Sequence, residues 1–333
     1  MPVRIALQYD GQRKELQGGT DGNGLLFLDP QANLKMHFKH EESDANSLCH
    51  DNVKSLLVEK DKGVWIGTIN GLDYYDFNKR QLSHLKTGAD GDQFLPDDVI
   101  YDLIKDRKGK MWVATYFGGL VKVDPIQKVV EDVYTHEPAN ERSLSARGVT
   151  RLFIDSKQNL WVGTTSGLNK KIGDEFVRFL SHPADTNSLS GDYIVSIFED
   201  RRNRMWIGSR DAGLNLLSAD GKVIRRFSRE EGLPGNTVYA IQEDARGYLW
   251  LSTENGLSRL DTETFSFRNF NSNDGLLCTQ FNFNSHHRDD EGYLYFGGYN
   301  GVDYFHPDSI YENTIVPELA FTAVRLFNKE IVA

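Results

Sequence analysis

The chain contains five tryptophans, and all five occupy one position of a recurring phrase. Trp65-Ile66-Gly67-Thr68 is followed by Gly71-Leu72, and Trp112-Val113-Ala114-Thr115 by Gly119-Leu120. Trp161-Val162-Gly163-Thr164 is followed by Gly167-Leu168, and Trp206-Ile207-Gly208-Ser209 by Gly213-Leu214. Trp250-Leu251-Ser252-Thr253 is followed by Gly256-Leu257. A sixth copy has Tyr295 in the aromatic place, and a seventh, more worn, has Gln17 there. The anchors fall at 17, 65, 112, 161, 206, 250 and 295, in steps of 48, 47, 49, 45, 44 and 45 residues.

A period of this length with strand content is the signature of a propeller array. The expected fold is all-β: a seven-bladed β-propeller of four-stranded antiparallel blades over residues 1–312. Residues 313–333 read as a C-terminal strand or the lead-in to a further domain. A length of 333 residues would by itself suggest two domains, but one closed ring of repeats accounts for it.

The second copy shows the strand pattern. Val53 to Val58, Val64 to Thr68, Leu72 to Phe77 and Gln81 to Leu85 read as four successive strands. Asn70-Gly71, like Asn255-Gly256 and Asn300-Gly301, reads as a tight hairpin turn with positive φ angles. Inner strands such as Ile194-Val195-Ser196-Ile197-Phe198 are apolar on both faces, as sheets packed between sheets require. The fourth strands alternate, as outer edges do. Pro317 to Phe327 alternates like one more strand.

An acidic residue stands six positions before each aromatic: Glu59, Asp106, Asp155, Asp200, Asp244 and Asp289. A Gly or Asn follows three positions on at Gly109, Asn203, Gly247 and Gly292, and four on at Gly63 and Asn159. Side-chain hydrogen bonds closing the first hairpin explain this pattern. Trp65, Trp112, Trp161, Trp206, Trp250 and Tyr295 are assigned to packing between blades. The Gly or Ala two places on, such as Gly67 and Ala114, leaves room for the neighbouring blade.

Composition excludes some functions. The formal charge of −10 opposes a nucleic-acid partner, which needs a basic stripe. No run of about 20 apolar residues could cross a membrane as a helix, and no signal peptide is visible before the strand-like sequence that starts at Val3, so an exported protein would carry this chain as a piece. Cys49 and Cys278 lie in repeats that are not neighbours and are expected to be free thiols. No phosphate-binding glycine loop and no nucleophile elbow is present. His286 and His287 are adjacent on a strand and point to opposite faces. His37 and His40 have no ligand at metal spacing. No metal site and no cofactor is expected.

The repeat resembles a known family. Ser-Leu, then Val-x-x-Ile, then Asp-x-x-Gly-x-x-Trp-Ile-Gly-Thr, then Gly-Leu is similar to the two-component regulator propeller repeat. Ser188-Leu189 through Gly213-Leu214 and Gly232-Leu233 through Leu260-Asp261 are good copies. The likeness extends over nearly the whole chain. Pro317 to Glu330 resembles the lead-in to the immunoglobulin-like sandwich that usually follows such propellers. The resemblance implies the periplasmic sensor half of a membrane receptor, built from two propellers and a sandwich. The intracellular half is typically a histidine kinase, often hybrid, and sometimes a diguanylate cyclase. Oligosaccharides are frequent ligands in that family. This chain would be one propeller, with the neighbouring propeller and sandwich as its partners and a homodimer as a plausible assembly.

In a propeller, the turns between second and third strands converge with the loops leading into first strands at one end of the channel. Residues that vary between repeats there are the ligand candidates: Asn70, Tyr116, Phe117, Arg210, Asp211, Glu254 and Tyr299 from the turns. Arg147 and Asp192 come from the incoming loops, with His50, Tyr193, Asn236 and Gln280 beside them. Aromatic rings mixed with amide and charged groups suit a small polar ligand such as an oligosaccharide. The expected function is a non-enzymatic sensor and signal relay. The alternatives are a propeller enzyme of the lyase or glycosidase type, or a protein-binding scaffold.

Overall fold

The structure is a computed structural model. It describes residues 7–10, 15–29, 33–85, 95–218, 221–310, 324–326 and 329–331. Seven antiparallel sheets form in chain order around one axis, as the repeat predicts. Six have four strands, and the seventh has three described strands, Phe281–Arg288, Leu294–Gly298 and Gly301–Phe305. Among the described residues there is no α-helix, so none is long and apolar enough to cross a membrane.

The first strand of each blade lies innermost. Val53–Glu59, Ile100–Lys105, Val149–Ile154, Ile194–Glu199, Val238–Glu243 and Phe281–Arg288 lie against one another in that order. Leu7–Asp10 of blade one lies against both Val53–Glu59 and Phe281–Arg288, which closes the ring. The sequence reads as strand from Val3, and Val3 to Ala6 lie outside the described residues, as does all of Pro317 to Ala323 in the alternating C-terminal stretch. Beyond them, Val324–Leu326 pairs with Lys329–Ile331 in a separate two-stranded sheet.

The tryptophans lock each blade to the next. Trp65 clusters with Ile100, Leu103 and Met111 of blade three. Trp112 meets Val149 and Leu152, and Trp161 meets Ile194 and Ile197. Trp206 meets Val238 and Ile241, and Trp250 meets Phe281 and Phe296. All five are buried, at 0–7% exposure, and losing one such ring costs about 3–5 kcal/mol. Gly67 sits where a Cβ would fall 2.6 Å from Ile100 of the next blade, so the small residue two places after the indole is a packing requirement.

The recurring carboxylate does two things. One oxygen closes the hairpin: Asp200 Oδ1 accepts from the backbone N–H of Arg202 and Arg204, both at 2.9 Å. The other accepts from the indole: Trp206 Nε1 donates to Asp200 Oδ2 at 2.9 Å. Trp112, Trp161 and Trp250 bond Asp106, Asp155 and Asp244 in the same way, and Tyr295 uses its hydroxyl on Asp289. Sequence reasoning foresaw the hairpin closure and missed the indole bond. Blade two departs from it. Glu59 pairs with Lys105 instead, and the buried Trp65 Nε1 has no hydrogen-bond partner among the described residues. Gln17, in the worn copy, is buried with both side-chain polar atoms in the same condition.

One turn expectation needs correction. In the Asn-Gly turns, only the glycine takes positive φ, +125° at Gly71, +98° at Gly256 and +147° at Gly301. The preceding strand end supplies the rest: Thr68 Oγ1 donates to the Gly71 carbonyl and accepts from Asn70 N–H. In blade four the left-handed residue of the first hairpin is Gln158 (φ +67°), three positions after the carboxylate. Asn159, one position later, donates its backbone and side-chain N–H to Asp155, the hairpin closure expected from the sequence.

Candidate functional site

The innermost strands are not regular. In blades two, four, five and six the register slips by one residue at the same place, leaving Lys54, Thr150, Val195 and Tyr239 unmatched. In blade three the slip leaves Tyr101. Blade seven has a larger departure, with Asn282 to Ser285 looping out between paired Phe281 and His286. A bulge inserts a residue and re-aims its side chain, and bulges recur at barrel rims and beside functional sites. Here they line the axis. Lys54, Tyr101, Thr150, Val195, Phe283 and Asn284 surround a cavity of about 160 Å³, together with Arg151, Tyr193 and Arg210.

The mouth is aromatic and cationic. Tyr101 stacks on Tyr116 with ring centroids 4.8 Å apart. The Arg210 guanidinium lies 4.2 Å from the Tyr193 ring and 5.1 Å from Phe283. Tyr239 meets Phe283 edge-on at 4.8 Å. Burial, then the neighbouring Tyr101 and Tyr116, pushes the Tyr193 hydroxyl well above the usual phenol range. Burial followed by Glu254 pushes Tyr239 up to about 12. Both hydroxyls therefore stay protonated and uncharged at neutral pH.

The floor is a polar latch across the ring. Arg151 Nη1 is 3.2 Å from Asp102 Oδ2 and also donates to Asn284 Oδ1. Arg151 Nη2 lies 3.1 Å from His286 Nε2. Asn284 Nδ2 donates to Asp102 Oδ1 at 3.2 Å, and the Gln242 amide contacts His286 Nδ1. Burial first, then the Arg151 charge, pulls His286 well below the ordinary histidine range. His287 faces the other way, against Tyr295, as adjacent strand residues should.

The structure brings together three of the residues anticipated from sequence: Tyr116, Tyr193 and Arg210. Phe117 is exposed beside Tyr116, and Tyr299 and Arg147 are exposed on the rim. Four others are committed to holding loops. Asn70 Nδ2 reaches the Cys49 carbonyl at 3.4 Å. Asp192 Oδ1 accepts from Ser181 N–H, and Asp211 bonds Thr237. Glu254 accepts from the N–H of Asn236 and Thr237, one with each oxygen. Asn236 in turn accepts from Arg229 N–H. Missed from sequence were Lys54, Tyr101, Arg151, Phe283 and Asn284. Their only sequence signal is variability at the start of each first strand.

Away from the channel, Cys49 and Cys278 are buried free thiols, as expected. Cys49, Asp73 and His84 converge at the start of blade two, a grouping that sequence reasoning did not anticipate.

Comparison with known proteins agrees with this architecture. Residues 95–117, 188–211 and 232–255 match the two component regulator propeller family. The chain is 28% identical over 319 residues to Histidine kinase P4 of Formosa agariphila, covering 94% of this chain and 23% of that protein. Among solved structures it is similar to a protein described as the extracellular domain of a one-component system of B. thetaiotaomicron. That match has a TM-score of 0.54 and 22% identity, over 93% of this chain and 43% of the other. A second, described as the extracellular domain of a hybrid two-component system of the same organism, has a TM-score of 0.49 and 19% identity, over 92% and 47%. The recurring phrase, the ring of seven sheets and the matched stretches agree: three repeats of this chain match the two component regulator propeller family, and the whole ring is similar to it in architecture.

Proposed function

We propose that this chain is a non-enzymatic, extracytoplasmic sensor propeller of a two-component signalling receptor, and that its channel mouth takes one end of an oligosaccharide. The periplasm is the compartment this reading implies. The chain spans about a quarter of its kinase-named relative, so the neighbouring propeller, sandwich and kinase belong to the proposal as well.

The observation that carries it is the mouth itself. Sugar rings present apolar C–H faces and many hydroxyls, and Tyr101, Tyr116, Tyr193 and Phe283 offer faces while Arg210 and the tyrosine hydroxyls offer donors. At about 160 Å³ the cavity is smaller than the roughly 300–1,000 Å³ of whole small-molecule sites. It suits a terminal ring, with the remainder of the chain lying over the rim. The lyase alternative needs a channel histidine free to act, but both nitrogens of His286 are engaged by Arg151 and Gln242.

The test is a panel of polysaccharide fragments added to the intact receptor ectodomain, read by melting temperature. A ligand that binds the folded form raises it, by about 2.7 kcal/mol of stability at a hundredfold excess over its Kd. At least one fragment class should do so. A panel without any shift would contradict the reading.

A further inference from the structure

The loop entering blade two carries Cys49, the third strand Asp73, and the outer strand His84. Cys49 Sγ is 3.4 Å from His84 Nδ1, which is 2.6 Å from Asp73 Oδ1. One atom from each residue lies within 4.8 Å of the other two. Cys49 and Asp73 are buried, while the His84 ring reaches solvent.

The repeat supplies its own comparison. The same three places hold Ser145, Asn169 and Arg178 in blade four, and Ser190, Asn215 and Arg226 in blade five. There the groups interlock as donors and acceptors. Ser145 N–H donates to Asn169 Oδ1 at 2.9 Å, and Asn169 Nδ2 donates to Ser145 Oγ at 2.8 Å. Arg178 donates to the carbonyls of Ser143 and Leu144. Blade two keeps one of these bonds, Cys49 N–H to Asp73 Oδ2 at 2.9 Å. Every other group has changed in one chemical direction: hydroxyl to thiol, amide to carboxylate, guanidinium to imidazole. A guanidinium offers no lone pair to a cation, whereas thiolate, carboxylate and imidazole are the ordinary zinc ligands.

The histidine is oriented for that purpose. Its Nε2 lies 2.8 Å from the Ala45 carbonyl oxygen, a pure acceptor, so Nε2 carries a proton and Nδ1 faces the cluster. Metal-bound histidines commonly fix their outer nitrogen on a carbonyl in this way. A nucleophile–base–acid relay would need the thiol and the carboxylate on opposite ring nitrogens. Both crowd onto Nδ1 here, so the geometry does not suit a relay. A bare His84–Asp73 ion pair is the competing arrangement.

We propose that Cys49 Sγ, Asp73 Oδ1 and His84 Nδ1 bind one thiophilic divalent cation, zinc by preference, with its fourth position toward solvent beside His84. Tetrahedral zinc bonds place S and N ligands roughly 3.5 Å apart and N and O roughly 3.3 Å apart. The first separation is already met. The second requires the ring and the carboxylate to part by about 0.7 Å. The ion then staples the loop between blades one and two to the third and outer strands of blade two.

The experiment uses the purified chain, stripped with chelator and titrated with zinc against a chromophoric competitor, with cobalt as a spectroscopic substitute. One equivalent of zinc should bind, and cobalt should show a thiolate charge-transfer band. Cys49→Ser or His84→Arg should weaken zinc by roughly 100-fold or more, while Cys278→Ser should leave it unchanged. The triple variant Cys49→Ser, Asp73→Asn, His84→Arg rebuilds the arrangement of blades four and five. It should melt like the metal-free wild type and bind no zinc, which separates loss of the site from loss of the fold. Failure of the wild type to bind zinc would leave only the ion pair and overturn the proposal. Equal binding by the triple variant would place the metal elsewhere and overturn it too.

Discussion

Arg151 of blade four reaches across the axis to His286 of blade seven, with Nη2 3.1 Å from Nε2. The contact joins blades that are not neighbours, and it fixes the floor of the cavity on which the functional reading rests. It also sets a pH response. Burial and the Arg151 charge hold His286 well below its ordinary value, and burial lowers His287 as well. The unfolded chain then binds more protons than the folded one below about pH 6.5.

Stability should therefore fall as pH drops through about 6.5 toward the depressed folded values, and be fully present above it. The slope from one histidine is at most about 1.4 kcal/mol per pH unit. Chemical denaturation between pH 7.5 and 5.5 measures it. His286→Gln should flatten the decline; an unchanged slope in that variant would show that His286 does not titrate with folding.

The indole–carboxylate bond divides the tryptophans. Trp206→Phe removes a buried bond to Asp200, whereas Trp65→Phe removes an N–H that has no partner among the described residues. Trp206→Phe should cost more by about 1–2 kcal/mol, read as the difference in denaturant midpoints. Equal costs would mean that the indole bond contributes nothing beyond ring packing.

Glycine is needed for different reasons at different turns. At Gly213 (φ +78°) a Cβ would fall 2.0 Å from the Phe227 carbonyl oxygen, but at Gly109 (φ +82°) it would meet nothing within 4 Å. Gly109→Ala should cost about 1–2 kcal/mol from backbone strain alone. Gly213→Ala should cost clearly more, because the outer strand must move. Thermal unfolding of the two variants decides this, and similar losses would contradict the packing argument.

The ring was legible because its locks are written in one letter: an indole at a fixed step needs a neighbour to bury it, and five such indoles need a ring. The channel was less legible. A bulge adds one residue to a strand without disturbing the repeat spacing, so Tyr101 and Lys54 give no periodic signal. Arg210 and Tyr193 were visible because they vary at turn and loop positions. Glu254 and Asp192 vary there too, and the structure shows them holding backbone N–H groups. Variability alone does not separate a contact from a brace. Cys49, Asp73 and His84 come from three separated segments, so no short ligand spacing announced them.

The most direct test of the ligand-sensing account is the affinity of the most stabilising polysaccharide fragment for the intact ectodomain, by titration calorimetry, with and without Arg210→Ala. Arg210 bridges the Tyr193 and Phe283 rings at the mouth; its backbone N–H donates to the Tyr193 carbonyl, a bond that alanine keeps, and among the described residues its side chain braces no loop by a hydrogen bond. The account predicts a loss of roughly tenfold or more with the melting temperature of the unliganded protein nearly unchanged. An affinity equal to that of the wild type would place the ligand away from the channel mouth and contradict it.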